Sequence, residues 1–467
     1  MFKYKKLFWM GIMLLSIQIS AFGQSFVEEV LKAPIQKAIS ESSEIHLKQL
    51  KGDGTQMEME AVKAKKFPHI SFMGGYGYSY FHLSQKFPVQ YLPITGTAIF
   101  ENAIVSDFQT QFLAGGISVR QVIFAGLQIS EGVKALEQKA KAERFLAEAN
   151  KEEVAKEVIL TFDQLMLLNE VDKLLKDSEK RLAKEHQKVL KALENGLAIP
   201  YDRDKIKLAI LELEEKQIEA DGNKAVLYAK LQYLTDMEKG ELESIGYLLQ
   251  PFLINKEGLS TDNRVELKAL ESGKKANEHV YKKEKGGRFP TVFAFGNVSY
   301  FNAFNSSLTF RDAPVAGDVK LESDRFGLEP MAAVGVGLKW DLFQGGAHNK
   351  KLKQAEIDLE ISEIKLEKTR KELELLFHKN KADLETSEKK VGVAKQKLKM
   401  AKNNLNLATK QYDAGLIDLT ERLASENQLY KVNLNYFRQI LNQRSAAVEL
   451  LLGTGELLQT INIKNEK

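Results

Sequence analysis

Residues 331–346 read MAAVGVGLKWDLFQGG. Large apolar side chains alternate in this segment with small or polar ones, which predicts a β-strand over about 331–343. The apolar face consists of Ala332, Val334, Val336, Leu338, Trp340 and Leu342. An apolar face that ends in an aromatic residue is typical of transmembrane β-barrel strands. The segment therefore predicts a membrane strand, with Trp340 at the membrane interface.

Three further segments, about 68–82, 110–124 and 290–301, show the same kind of pattern. The first has an aromatic face that includes Tyr76 and Tyr78, opposite a face of glycine and serine. The second and third alternate less regularly, because Phe112 adjoins Leu113 and two phenylalanines interrupt the third. A half-buried sheet in a soluble domain therefore remains an alternative to a barrel at this point.

The two halves of the chain resemble each other. VRQVIFAG at 119–126 corresponds to LKWDLFQG at 338–345, and ENGLAIPYDRD at 194–204 corresponds to DAGLIDLTERL at 413–423. Both pairs are separated by 219 residues (343 − 124 and 415 − 196). We interpret this as a duplicated helix-strand-strand-helix unit, with repeats at 24–237 and 261–453. A Gly- and Pro-containing segment at 238–260 is predicted to be a lateral insertion, and 454–467 a C-terminal tail.

Each strand pair is followed by a long helical segment rich in Ala, Glu, Lys and Leu. The first runs to Glu194 and the second from about Lys350 to Asp413, and each is followed by a glycine and a returning helix. About 70 helical residues extend roughly 100 Å. The sequence thus predicts two long helical hairpins with tips near Gly196 and Gly415.

The N-terminus predicts export. Three lysines precede an apolar run from Leu7 to Ile19, and Ala21-Phe22-Gly23 provides small residues for cleavage. This pattern predicts a signal peptide over 1–23 and a mature start at Gln24. The apolar run is shorter than the roughly 20 residues that a membrane-spanning helix needs.

Composition argues against catalysis and nucleic-acid binding. The net charge is +4, and acidic and basic residues are interleaved along the helices, which is typical of solvated helix faces. The chain has no cysteine, and its seven histidines show no metal-ligand spacing. We therefore expect no enzyme activity, no metal and no cofactor.

Four strands cannot close a barrel. An open sheet in lipid would leave backbone groups unpaired at both edges, so several chains must share one barrel. Strand count alone leaves the number of chains open, since two chains would give eight strands and three would give twelve.

Several segments resemble the TolC-like outer-membrane efflux proteins over almost the whole mature chain. They are the strand starts Phe67-Pro68 and Phe289-Pro290, the WDLFQGG segment, both hairpin tips, and NLNYFRQILNQRSAAVELLLG at 433–453. The resemblance implies a homotrimer in the outer membrane, with a shared 12-stranded transmembrane β-barrel continued by a long α-helical barrel in the periplasm. It also implies docking of a periplasmic adaptor protein and an inner-membrane transporter.

The resemblance further implies site residues near the tips. Gly196, Leu197, Gly415 and Leu416 form the tips that are expected to dock the adaptor. Asp202, Tyr412 and Glu421 match the family's gate positions, whereas Tyr201, Ile417 and Ala424 depart from its pattern. The closing network could therefore use other contacts, such as Arg203 and Arg422.

Two of these gate residues also have a simpler explanation. Tyr412 could be an ordinary seam residue, and Asp202 a first-turn carboxylate that the helix dipole favours.

The sequence predicts a passive export duct of an efflux pump or a type I secretion system. The alternative is a structural or adhesive coiled-coil protein of the periplasm or cell surface.

Overall fold

The computed structural model describes residues 29–86, 88, 90–96, 98–100, 103–313 and 317–461. The predicted signal peptide and mature start lie outside the described residues, as do the last six residues of the predicted tail. Contacts divide the chain into two compact units. The strand unit comprises Gly54–Gln138 and Lys275–Ile361. The helical unit comprises the segment up to Asp53, Lys139–Lys274, and the segment from Ser362 onward.

The strand unit contains one antiparallel four-stranded sheet. Its long strands are β1 (His69–Lys86), β4 (Ala103–Ala125), β5 (Thr291–Ala313) and β6 (Gly317–Lys339). They are ordered β1-β4-β5-β6, and the short strands β2 (Gln90–Tyr91) and β3 (Ala98–Phe100) form a separate ladder. Within the described residues, the outer edges of β1 and β6 pair with no other strand. The sheet is therefore open at both sides in a single chain.

The long strands differ from the predicted bounds at both ends. The predicted strands leave 83–109 and 302–330 unpaired, but strand pairing includes 83–86 and 103–109 of the first range and most of the second. Ser- and Asn-rich segments favour turns locally, yet here their backbone groups pair with neighbouring strands, and tertiary context overrides propensity. Strand β6, which contains the predicted segment 331–343, also ends earlier than predicted, at Lys339. Its last partner is Thr291, and Pro290 has no N–H with which to extend the ladder.

Helices account for most of the remaining chain. A short helix, α1 (Lys32–Glu41), precedes α2 (Ser43–Ala64). The first hairpin consists of α3 (Gln128–Glu194) and α4 (Pro200–Thr235), and the second of α7 (Ala347–Asp413) and α8 (Leu419–Thr454). The long helices α3 and α7 each have 67 residues, and the returning helices α4 and α8 each have 36. Three shorter helices are α5 (Lys239–Ser244), α6 (Val265–Gly286) and α9 (Leu457–Thr460).

The core of the helical unit lies where helices from both hairpins meet the insertion. Its fully buried side chains include Leu31, Ile35, Ile159, Phe162, Leu231, Leu242, Leu384, Ile440 and Leu450. Leu249 and Phe252 of the insertion and Leu457 and Leu458 of α9 belong to the same cluster. The start of the predicted tail is thus part of the core rather than a loose extension.

A buried ion pair attaches the insertion to this core. Arg444 of α8 donates from Nε to Asp163 Oδ1 on α3 at 2.8 Å, and both side chains are almost fully buried. Tyr247 donates its hydroxyl to the same carboxylate oxygen at 2.5 Å, and Arg444 Nη1 donates to the Gln250 carbonyl at 3.1 Å. The neighbouring Gln443 amide both donates to and accepts from the Phe252 backbone. These polar contacts fix the irregular backbone of the insertion, which has few hydrogen bonds of its own.

A second buried carboxyl group, that of Glu152 on α3, predicts a pH dependence of stability. Burial raises the pKa of Glu152 to about 7, against the opposing charge of Arg264, and the charges of Glu266, Glu153 and Glu456 raise it further. Because the pKa in the folded state exceeds the ordinary value of 4.5, this group stabilises the fold below pH 4.5. That contribution, about 3 kcal/mol, is lost as the pH rises through 7.

Glu152→Gln should therefore remove most of the decline in thermal stability between pH 4.5 and 7. Glu179→Gln, at an exposed position farther along α3, is the control and should leave the decline unchanged. A wild-type unfolding midpoint that is constant over this range would contradict the prediction.

Candidate membrane face and channel tip

The register of the sheet places apolar side chains from all four long strands on one face, called here the band face. One cross-strand row runs through Ile70, Val119, Gly296 and Val334, and the next through Phe72, Ile117, Val298 and Ala332. The row between them, on the opposite face, contains Ser71, Ser118, Asn297 and Ala333. Val334 is 90% exposed in the single chain. A wide, exposed apolar face of this kind needs an apolar environment.

Aromatic side chains border the apolar part of the band face at both ends. Trp340 directly follows β6, is half exposed, and donates from Nε1 to the Arg288 carbonyl at 3.2 Å. At the other end Tyr76 and Tyr78 donate their hydroxyls to Gln111 and Gln109 of β4 at 3.0 and 2.9 Å. An apolar band between aromatic borders is the pattern of a membrane-facing barrel wall.

The phenylalanines that disturb the alternation in the sequence lie on the opposite face. Phe293 pairs with Gly337, and a Cβ atom at Gly337 would lie 2.5 Å from the Phe293 ring. Phe112 covers Gly77 in the same way. Each ring thus fills the space that a glycine leaves on the adjacent strand, as aromatic residues commonly do in sheets. The irregular pattern therefore does not break the two-faced arrangement.

Both hairpin tips have the same backbone conformation. Gly196 and Gly415 each have a φ of 73°, in the left-handed region that glycine adopts without strain. After each glycine comes a leucine, Leu197 or Leu416, whose N–H donates to the carbonyl five residues earlier at 2.7 or 2.8 Å. Both leucine side chains are exposed, at 83% and 74%. Each tip therefore exposes an apolar leucine side chain on a rigid turn.

The structure places the three predicted gate residues in different surroundings. Asp202 lies in the first turn of α4, and its carboxylate accepts from the Ile199 N–H at 3.4 Å. This is the first-turn position that the simpler explanation assigned to Asp202. Glu421 is exposed in the first turn of α8, where its backbone N–H donates to the Asp418 carboxylate at 2.8 Å.

Tyr412 is half-buried, where all four hairpin helices meet near the tips. It packs against Val189, Ile206, Leu419 and Leu423. Burial raises the pKa of Tyr412, and the charges of Glu185 and Asp202 raise it further. The hydroxyl therefore stays protonated and available as a hydrogen-bond donor at physiological pH.

A buried ionic cluster that the sequence analysis largely missed lies slightly farther from the tips. Glu426 of α8 accepts from Arg181 Nε of α3 at 2.8 Å and lies 3.4 Å from Arg422 Nη2. Arg422 and Glu426 are only 3% and 5% exposed. Among the described residues, no hydrogen-bond acceptor reaches Nε or Nη1 of Arg422. Arg422 was foreseen as an alternative contact, whereas Arg181 and Glu426 were not.

A sequence signal for this cluster does exist. The buried side chains at the start of α8 are Leu419, Arg422, Glu426 and Leu429, spaced by three, four and three residues. That spacing places two charged residues on an otherwise apolar seam. Charged residues are seldom buried unless they are paired, so an opposite charge on the facing helix could have been expected.

Within the part of the chain that the structure describes, no three acidic or histidine side chains come close enough to hold a metal ion. Among the described helices, none is both long and apolar enough to cross a membrane.

Comparison with known proteins supports the same class. Residues 263–456 match the family model described as outer membrane efflux protein. The search of curated protein sequences found no match to this chain.

The fold is similar to that of several solved outer-membrane proteins. With the CmeC outer membrane channel of Campylobacter jejuni the TM-score is 0.71 at 12% identity, over 92% of this chain and 86% of that one. With the VceC outer membrane protein of Vibrio cholerae it is 0.68 at 16% identity, over 93% and 97%. With the MtrE outer membrane channel of Neisseria gonorrhoeae it is 0.68 at 14% identity, over 94% and 91%.

The resemblance to the TolC-like outer-membrane efflux proteins is therefore confirmed, by sequence over the C-terminal part of the chain and by fold over nearly all of it. Residues 263–456 thus match the outer membrane efflux protein family, and the fold of nearly the whole chain is that of solved outer-membrane channels.

Proposed function

We propose that the chain forms the outer-membrane duct of a tripartite efflux pump or a type I secretion system. Three copies would join their four-stranded sheets into one 12-stranded barrel, and their helical hairpins would continue the duct into the periplasm. The observation that carries the proposal is the sheet itself, which has an exposed apolar band and two edges that pair with no other strand in the described part of the chain. In hydrocarbon such edges must pair, and only neighbouring copies can supply the partners.

Membrane fractionation followed by single-channel recording tests this function. The protein should be recovered in the outer-membrane fraction and should form discrete channels in planar bilayers. A soluble rod without channel activity would contradict the proposal and favour a structural coiled-coil protein.

We assign adaptor docking to the tips, because they combine a rigid turn with exposed Leu197 and Leu416. Gly415→Val should abolish export while leaving the membrane oligomer intact, since a β-branched residue is strained at a φ of 73°. Gly222→Ala within α4, where an added Cβ meets nothing within 4 Å, is the control and should export normally. Normal export by the Gly415 variant would exclude the tips as the docking site.

The acidic residues near the tips predict a preference for cations. Asp202 and Glu421 each lie six residues beyond their tip glycine (202 − 196 and 421 − 415). Three copies would bring six carboxylates to similar depth, and acidic rings attract cations. The reversal potential in a salt gradient should shift toward that of a non-selective pore in the Asp202→Ala/Glu421→Ala variant. Unchanged selectivity would mean that these carboxylates do not face the lumen.

A further inference from the structure

The polarity of the sheet reverses toward the strand ends that are remote from the helices. On the band face, the row through Ile70 and Val119 is apolar, but the row through His82, Asp107, Thr309 and Lys320 is polar. Asp107 accepts from Tyr80 at 3.1 Å and from Arg311 Nε at 2.7 Å, so this part of the band face is a hydrogen-bonded polar surface. The pairing of β1 with β4 has no register shift, so both rows lie on the same face.

The opposite face becomes apolar at the same height. One complete cross-strand row on that face consists of Phe81, Phe108, Leu308 and Leu321. The rings of Phe81 and Phe108 contact each other, with centroids 4.8 Å apart. Nearer the helices the same face carries Ser71, Ser118 and Arg120. Phe112 and Phe293 lie on the same face, but each covers a glycine of the adjacent strand. The row of Phe81 differs because all four strands contribute a large apolar side chain.

This reversal cannot be explained by lipid contact. The band face meets lipid where it is apolar, and beyond the tyrosines it is polar and suited to water. The apolar row lies on the other face, which in the proposed channel is the lumen wall. Large apolar side chains that line a water-filled pore lose about 25 cal/mol of stabilisation for each Å² of apolar surface that stays in contact with water. Such a row is stabilised if it meets equivalent rows across the axis, or if the constriction excludes water.

We propose that Phe81, Phe108, Leu308 and Leu321 form a hydrophobic constriction near the outer end of the duct, which each further copy of the chain continues around the lumen. The inference rests on the proposed channel function. A constriction of this kind impedes hydrated ions by dewetting. Apolar or aromatic cargo can replace the contacts across the axis, so the constriction favours amphipathic aromatic compounds over small hydrophilic ones.

Thiol modification on intact cells tests the constriction independently of the tips. The chain has no cysteine, and an added Cβ at Gly75 meets nothing within 4 Å. Gly75 lies on the lumen face of β1, about 20 Å along the strand from Phe81 on the side toward the helices. A charged methanethiosulfonate reagent added outside should modify Gly75→Cys slowly. Adding Phe81→Ser and Phe108→Ser should raise the rate several-fold.

Two comparisons make this test specific. Tyr80→Ser with Gln109→Ser alters the same heights on the other face and should leave the rate unchanged. Leu321→Ser, on an edge strand, should raise the rate if the double phenylalanine variant fails to assemble. Equal rates in all variants that form channels in bilayers would overturn the constriction and leave the channel function standing. If no variant, nor the wild type, forms channels, the proposed function and the constriction fail together.

Discussion

Arg444→Leu should destabilise the helical unit by about 3–5 kcal/mol, because it leaves the Asp163 carboxylate buried without its partner. The loss should be concentrated at the insertion, since Arg444 also holds the Gln250 carbonyl. Two measurements report it: the thermal unfolding midpoint of the detergent-solubilised oligomer, and the rate of proteolytic cleavage within 238–260. We expect a lower midpoint and faster cleavage.

The exposed pair between Lys230 and Glu157 provides the control for this prediction. Both of its side chains are nearly half exposed, and surface pairs contribute about 0–1 kcal/mol. Lys230→Met should therefore change neither readout appreciably. If Arg444→Leu behaves like Lys230→Met, the buried pair does not hold the insertion.

Glu426→Ala should make the channel leak. The substitution removes the carboxylate between Arg181 and Arg422 and leaves the Arg422 guanidinium buried and unpaired. Loss of one partner of a buried pair costs about 3–5 kcal/mol. If the cluster holds the tip closed, a loss of that size shifts the closed–open equilibrium on the order of a hundredfold or more. Single-channel recording should show a higher open probability.

Arg203 provides the control for the buried ionic cluster of Arg181, Arg422 and Glu426. It occupies the position in the first repeat that corresponds to Arg422 in the second (422 − 203 = 219). Arg203 is partly exposed, and among the described residues its ion pair is with its exposed neighbour Asp204 alone. Arg203→Gln should therefore leave the open probability near the wild-type value. If the Glu426→Ala channel has the open probability of the wild type, the cluster has a structural role and does not gate the channel.

The sequence predicted the long elements well where one pattern dominates. The sequence at the end of β6 alternates between large apolar and small residues, and the structure places Val334, Val336 and Leu338 on one exposed face. Alternation failed to predict where the strands end. The segment that includes Asn302 and Ser306 has turn-forming residues but lies inside a paired ladder, and the partner strands cannot be seen in a local window.

The tip site was only partly predictable, because its contacts join residues that are far apart in the chain. Gly196 and Gly415 could be predicted, since left-handed turns require a specific residue type. The pairing of Arg181 with Glu426 depends on how α3 packs against α8, which no periodicity in either helix reveals. Asp202 matched a gate position by resemblance, yet its carboxylate contacts the backbone of its own helix start.

The central claim is that several copies of the chain complete one barrel from strands that a single copy leaves unpaired. Native mass spectrometry of the detergent-solubilised protein tests it most directly. The account predicts a single species containing three chains that resists dilution. A monodisperse monomer that retains its strand content would contradict it.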